Sequence, residues 1–164
     1  MLCKRILVSL GLVFICVQAH GGDVNRAFAA AQSGDFETAM DEWKPLAEQG
    51  FARAQYNIGV MHEMGEGVPQ DYVEAVKWYT LAAKQGYIFA QYNLALKYFD
   101  GNGVAKDRNE AVKWYTLAGE QGHVKSQFNL AVMYDTGDGI PEDNATALKW
   151  YTLAANSGHI KSQY

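Results

Sequence analysis

Apolar residues recur along this chain with the period of an amphipathic helix, and the whole pattern returns every 36 residues. Between Ala52 and Met64, the residues Ala54, Ile58 and Met61 fall on one helical face, and Gly65 follows the last turn. Ala90, Leu94 and Tyr98 repeat that face, and so do Leu130, Met133 and Tyr134. A second stripe, Ala75, Trp78, Tyr79 and Ala82, shows the i, i+3, i+4, i+7 spacing and predicts a helix over 72–85. Ala111, Trp114, Tyr115 and Ala118 copy it, as do Ala147, Trp150, Tyr151 and Ala154. The pattern therefore predicts an all-α chain of helix pairs.

Residues 51–86 and 87–122 share 19 of 36 positions without a gap, and 87–122 and 123–158 share 16, which establishes a true internal repeat. Between the helices of each unit, Gly65, Gly101 and Gly137 suit the left-handed residue that ends a helix. Gly67, Gly103 and Gly139 then let the chain reverse. Asp71, Asp107 and Asp143 are placed to cap the second helix. Asp71 with Glu74, and Asp107 with Glu110, have the spacing of a capping box. One such pair cannot bury its apolar stripe alone, so stability must come from stacking on neighbours. Residues 22–50 form a divergent first unit that reads as an N-terminal cap, with a helix over 23–33, a Gly34-Asp35 turn, and Trp43 at the Tyr79 position. Residues 159–164 begin a further unit, since Ser162-Gln163-Tyr164 copies Ala54-Gln55-Tyr56. Arrays normally end in a polar cap, so we expect the natural chain to continue.

The sequence Ala54-Gln-Tyr-Asn-Ile-Gly, then Gly65-x-Gly67-Val68-Pro69-x-Asp71, then Ala75-x-x-Trp78-Tyr79-x-x-Ala82-x-x-Gly86, resembles the Sel1-like repeat of the tetratricopeptide-like superfamily. The resemblance covers about 35–158, while 22–50 is more similar to an ordinary tetratricopeptide unit. It implies an α/α right-handed superhelix, a solenoid of helix-turn-helix repeats. It also implies a non-enzymatic adaptor or scaffold for protein–protein interaction, associated in bacteria with host interaction, envelope functions and signalling. Some related secreted repeat proteins are described as β-lactamase-like or penicillin-binding, which makes a cell-wall-active enzyme the alternative. Those proteins carry a regular cysteine pair in each repeat, and this chain has no cysteine after Cys16.

The N-terminus changes the picture of where the array works. Lys4 and Arg5 precede a run, Ile6 to Val17, that is apolar apart from Ser9 and Gly11, and Val17-Gln18-Ala19 offers a small-residue cleavage site. That is the anatomy of a secretory signal over 1–19 and predicts a periplasmic or secreted protein. An uncleaved anchor is the other reading, although about 12 apolar residues fall short of a bilayer span. Lipoprotein processing at Cys16 is a third, opposed by bulky Ile15. Cleavage would remove both cysteines, leaving packing alone to stabilise an exported protein. The formal charge of −4 leaves no basic footprint for nucleic acid.

Candidate chemistry is sparse, and we expect no catalytic residues, cofactor or metal. No Ser-x-x-Lys, His-x-x-x-His or Cys-x-x-Cys spacing occurs. His62 takes the place of Tyr98 and Tyr134 and reads as packing, while His123 and His159 open successive units. The loops Gly65-Glu-Gly67 and Gly101-Asn-Gly103 follow a helix, and no Lys-Ser or Lys-Thr succeeds them, so they read as turns. Asp135, Asp138 and Asp143 lack the spacing of a helix–loop–helix calcium site.

The remaining signal is a strip on the far side of each first helix. Tyr56 lies about 200° around the wheel from Ala54, and Val60 and Glu63 share its side. The equivalents are Tyr92, Leu96 and Phe99, then Phe128, Val132 and Asp135. By analogy with tetratricopeptide arrays, these nine residues line a groove that takes a protein or peptide partner. The other reading is that they pack between neighbouring first helices. Gln55, Gln91 and Gln127, with Asn57, Asn93 and Asn129, sit nearer the packed faces and are expected to hydrogen-bond between helices. Lys77, Lys113 and Lys149 read as a solvated stripe.

Overall fold

The computed structural model describes residues 22–157. The signal predicted over 1–19 and the partial unit predicted over 159–164 lie outside the described residues. Within them the chain forms eight helices and no strand. These are α1 (Val24–Ser33), α2 (Phe36–Glu48), α3 (Ala52–Met64), α4 (Tyr72–Lys84), α5 (Ile88–Asp100), α6 (Arg108–Glu120), α7 (Val124–Thr136) and α8 (Asn144–Asn156). Each packs chiefly on the helix before it and the helix after it, which makes an α/α solenoid.

Local chemistry sets the helix ends. Asp71 Oδ1 accepts from the backbone N–H groups of Val73 and Glu74 at 2.9 and 3.0 Å, and Asp107 and Asp143 cap α6 and α8 likewise. The reciprocal half of the predicted capping box is not made. Glu74 and Glu110 instead pair with Lys77 and Lys113 one turn on, at 2.7 Å. The Asp71 N–H is already taken by the His62 carbonyl at 2.8 Å, because the loop folds back on α3. At the other end α3, α5 and α7 stop at Gly65, Gly101 and Gly137, all left-handed.

The core runs through the stack as small residues alternating with rings. Ala54, Ala75, Ala82, Ala90, Ala111 and Ala118 are all but fully buried, which lets helix backbones approach, and Trp43, Tyr79 and Tyr115 fill the space between units. Glutamines tie each unit to the next. Gln55, Gln91 and Gln127 donate to the carbonyls of Ala47, Ala83 and Gly119 at 3.1, 3.2 and 2.9 Å. Gln85 and Gln121, at the C-caps of α4 and α6, donate in turn to the amide oxygens of Gln55 and Gln91 at 2.7 Å. These are inter-helix bonds of the kind the repeat predicts for the glutamines.

Candidate protein-binding face

The far sides of the first helices, α3, α5 and α7, open into a series of cavities. One of about 300 Å³ lies between α5, α6 and α7. Leu96 and Phe99 form one wall, Phe128, Val132 and Met133 the other, and Tyr115 with Asn129 the floor. A smaller one, about 100 Å³, lies between α1, α2 and α3, with Trp43, Asn57, Val60, Met61 and Glu66 in its lining. The two are repeat-equivalent: Trp43, Asn57, Val60, Met61 and Glu66 align with Tyr115, Asn129, Val132, Met133 and Asp138, two units along. The recurrence follows from the helix pattern, because the same turn of each first helix meets the same second-helix ring.

At the corresponding place between α3, α4 and α5 the chain differs. Lys97 stands where Met61 and Met133 stand, and it is 6% exposed. Its ammonium reaches Glu63 Oε1 on α3 and lies 5.2 Å from the centroid of the Tyr72 ring. Glu63 Oε2 accepts from the Tyr79 hydroxyl at 2.5 Å. Burial pushes the Tyr79 phenol up from its ordinary pKa, and the Glu63 carboxylate it donates to raises it further, so the donor keeps its proton. A charged bridge thus joins α3 to α5 in the middle of the face.

A third, wider cavity of about 520 Å³ opens near the N-terminal ends of the first helices. Tyr56, Phe89, Tyr92 and His123 line it, and Lys125 stands at its side. The His123 ring lies 4.6 Å from that of Tyr92. Burial lowers the pKa of His123, and the neutral ring offers Nδ1 to the Ser126 N–H at the start of α7. Sequence reasoning did not single out Phe89, although it is 50% exposed.

The nine residues predicted for the partner strip separate into two groups. Tyr56, Tyr92, Val60, Leu96, Phe99, Phe128 and Val132 line these cavities. Glu63 and Asp135 are turned to tyrosine hydroxyls of the following helix, Tyr79 at 2.5 Å and Tyr151 at 3.3 Å. They tie a first helix to its own second helix. Lys97 was missed; its signal was the break in the Met61–Met133 position of the repeat. Arg108 was missed as well. Its guanidinium lies 3.4 Å over the Phe99 ring, donates to the Phe99 carbonyl, and pairs with Asp138 at 3.1 Å.

Elsewhere, Leu81, Leu117 and Leu153 are exposed once per unit on the second helices, where single apolar side chains are ordinary. Among the described residues no group of three or more His, Cys, Asp or Glu side chains is placed to hold a metal ion, and no helix is long and apolar enough to cross a membrane.

Comparison with known proteins agrees with this architecture. Residues 52–87, 88–123 and 124–159 each match the family model of the Sel1 repeat. The fold is similar to that of a Sel1 repeat protein from Oxalobacter formigenes, with a TM-score of 0.81 and 34% identity over 85% of this chain. It is also similar to a protective antigen of uropathogenic Escherichia coli strains displaying an SLR fold, with a TM-score of 0.76 and 38% identity over 85% of this chain. The chain spans 58% of the first structure and 34% of the second. A stretch of 45 residues is 38% identical to a Rattus norvegicus protein, DAP3-binding cell death enhancer 1, and covers 27% of this chain and 9% of that protein.

Proposed function

Since this chain belongs to the Sel1 repeat family, whose repeats are generally protein-interaction scaffolds, we propose that it is an exported, non-enzymatic adaptor that holds a protein or peptide along its first helices. The observation that carries the reading is the recurrence of a cavity at equivalent places on α3 and α7, two units apart. Apolar clefts that open on the surface at repeated places are where side chains of a partner can enter. Side chains of a partner inserted there would bury Leu96, Phe99 and Val132 and contribute about 25 cal/mol for each Å² of apolar surface removed from water. Export to the periplasm or beyond is supported by the basic, apolar and small-residue order of residues 1–19.

The test replaces Tyr92, Leu96 and Phe99 together by Ser in the full chain, with thermal melting and affinity capture read side by side. We expect captured partners to be lost while the melting temperature stays within a few degrees. Lost stability with partners retained assigns the strip to packing and overturns the reading. N-terminal sequencing of the protein recovered from cell fractions checks export: a cytoplasmic chain still starting at Met1 would refute it.

A further inference from the structure

The acidic residues of this face stand where helix electrostatics opposes them. Asp100 is the last residue of α5, and Asp135 is one residue from the end of α7. A helix C-terminus already carries partial negative charge, so carboxylates there cost stability rather than add to it. Glu66 and Asp138 occupy equivalent places just beyond the ends of α3 and α7. Lys97 neutralises Glu63, and Arg108 neutralises Asp138. Among the described residues no ion pair engages Glu66, Asp100 or Asp135. Glu66 borders the small cavity, and Asp100 borders the large one. Each apolar cavity therefore has at its rim a carboxylate that no ion pair engages, while the nearby cations, Arg53 over Phe28 and Arg108 over Phe99, are stacked on lining rings. Arg108 shows what such a rim accepts: a guanidinium stacked on Phe99, bonded to a helix-end carbonyl and paired with a carboxylate.

Resting on the groove reading above, we propose that the partner is a basic, apolar peptide segment of another protein. Two of its apolar side chains enter the two repeat-equivalent cavities, and neighbouring lysines or arginines meet Glu66 and Asp100. The Lys97–Glu63 bridge makes the layout apolar, charged, apolar along three successive units. The bridge therefore sets how far apart the two anchors must lie.

The test uses the full chain and fluorescein-labelled synthetic peptides. Each peptide carries two leucines, about four to about twelve residues apart, a range over which an extended chain can reach across the bridge from one cavity to the other, two units along. The background is Lys, Gly and Ser, and binding is read by anisotropy. We expect one preferred spacing. At that spacing, replacing either leucine by Ser weakens binding about fivefold or more. Exchanging every Lys for Glu weakens it about tenfold or more, and added salt lowers the affinity of the Lys series alone. The variant Glu66→Gln with Asp100→Asn, the first half-buried and the second exposed at the rims, flattens the salt dependence. The variant Lys97→Met with Glu63→Phe gives the middle site the residues of the large one and shifts the preferred spacing to a shorter value.

Equal binding by the Glu series, indifference to the second leucine, or no binding by any Lys peptide overturns the proposal. So does dimerisation of the chain that the peptides displace, which would assign the groove to a second copy. If those results come while the triple Ser variant still loses its partners, the groove reading stands and the basic two-anchor partner falls. If the triple variant keeps its partners, both fall.

Discussion

Ser157 stands where Gln121 and Gln85 stand one and two units earlier, and that change leaves a buried atom without a partner. In the earlier units the C-cap glutamine donates to the amide oxygen of the first-helix glutamine of its own unit at 2.7 Å. Ser157 has no amide to offer, and the buried Oε1 of Gln127 has no hydrogen-bond partner. The same logic explains Asn57. Asn93 and Asn129 lie beside the hydroxyls of Tyr79 and Tyr115 and lower their pKa, but Asn57 shares its cavity with Trp43, and its buried Nδ2 is unsatisfied. Substituting Ser157→Gln restores the missing donor. It should stabilise the protein by about 0.5–1.5 kcal/mol, the usual net worth of one hydrogen bond. Urea unfolding measures this, and an unchanged or lower midpoint would show that the ladder does not extend to the last unit.

At the scale of the element, the loop between the helices of a unit depends on its second glycine. Gly103 has φ of +77°, and a Cβ built there runs into the Tyr72 carbonyl oxygen at the start of α4. Gly67 meets the Phe36 backbone in the same way, with the carbonyl oxygen 2.8 Å from its Cβ position. The loop of one unit thus sits on the first turn of the preceding second helix, so the turn is also an inter-unit contact. Gly103→Ala should cost about 1–3 kcal/mol for the left-handed backbone, plus whatever the carbonyl contact demands. Gly86 has a similar φ, +85°, but open space at its Cβ position, so Gly86→Ala isolates the backbone part. Equal losses in the two variants, read from denaturation midpoints, would remove the inter-unit contact from the account.

At the scale of the whole molecule, position in the stack decides what a leucine is worth. Leu94 lies between units and is fully buried, whereas Leu148 on α8 is 67% exposed. Val76, the repeat equivalent of Leu148, is only 8% exposed, because α4 has a following unit against it. Leu94→Ala should therefore cost about 2–5 kcal/mol, and Leu148→Ala should stay within about 0.5 kcal/mol. Comparable losses at both sites would mean that the face of α8 is covered in the folded protein.

Much of this was legible in the chain itself. The period of the apolar positions, the glycines at helix ends and the capping aspartates are local chemistry repeated four times, so helix bounds such as Ala52–Met64 could be read directly. The partner strip was legible as a face, because helical spacing alone puts Tyr92, Leu96 and Phe99 together. Which of its members meet each other was not. Glu63 and Lys97 lie 34 residues apart and join across α3 and α5. Arg108 crosses from α6 onto Phe99 of α5. Asn57 is orphaned by a ring that comes from a different helix. The repeat determined the helices, their turns and the surface they share, since each of those depends on residues within one or two turns of one another. The stacking of units decided where that surface opens, where a charged bridge closes it and which carboxylates form no ion pair, because each of those depends on side chains brought together from three helices.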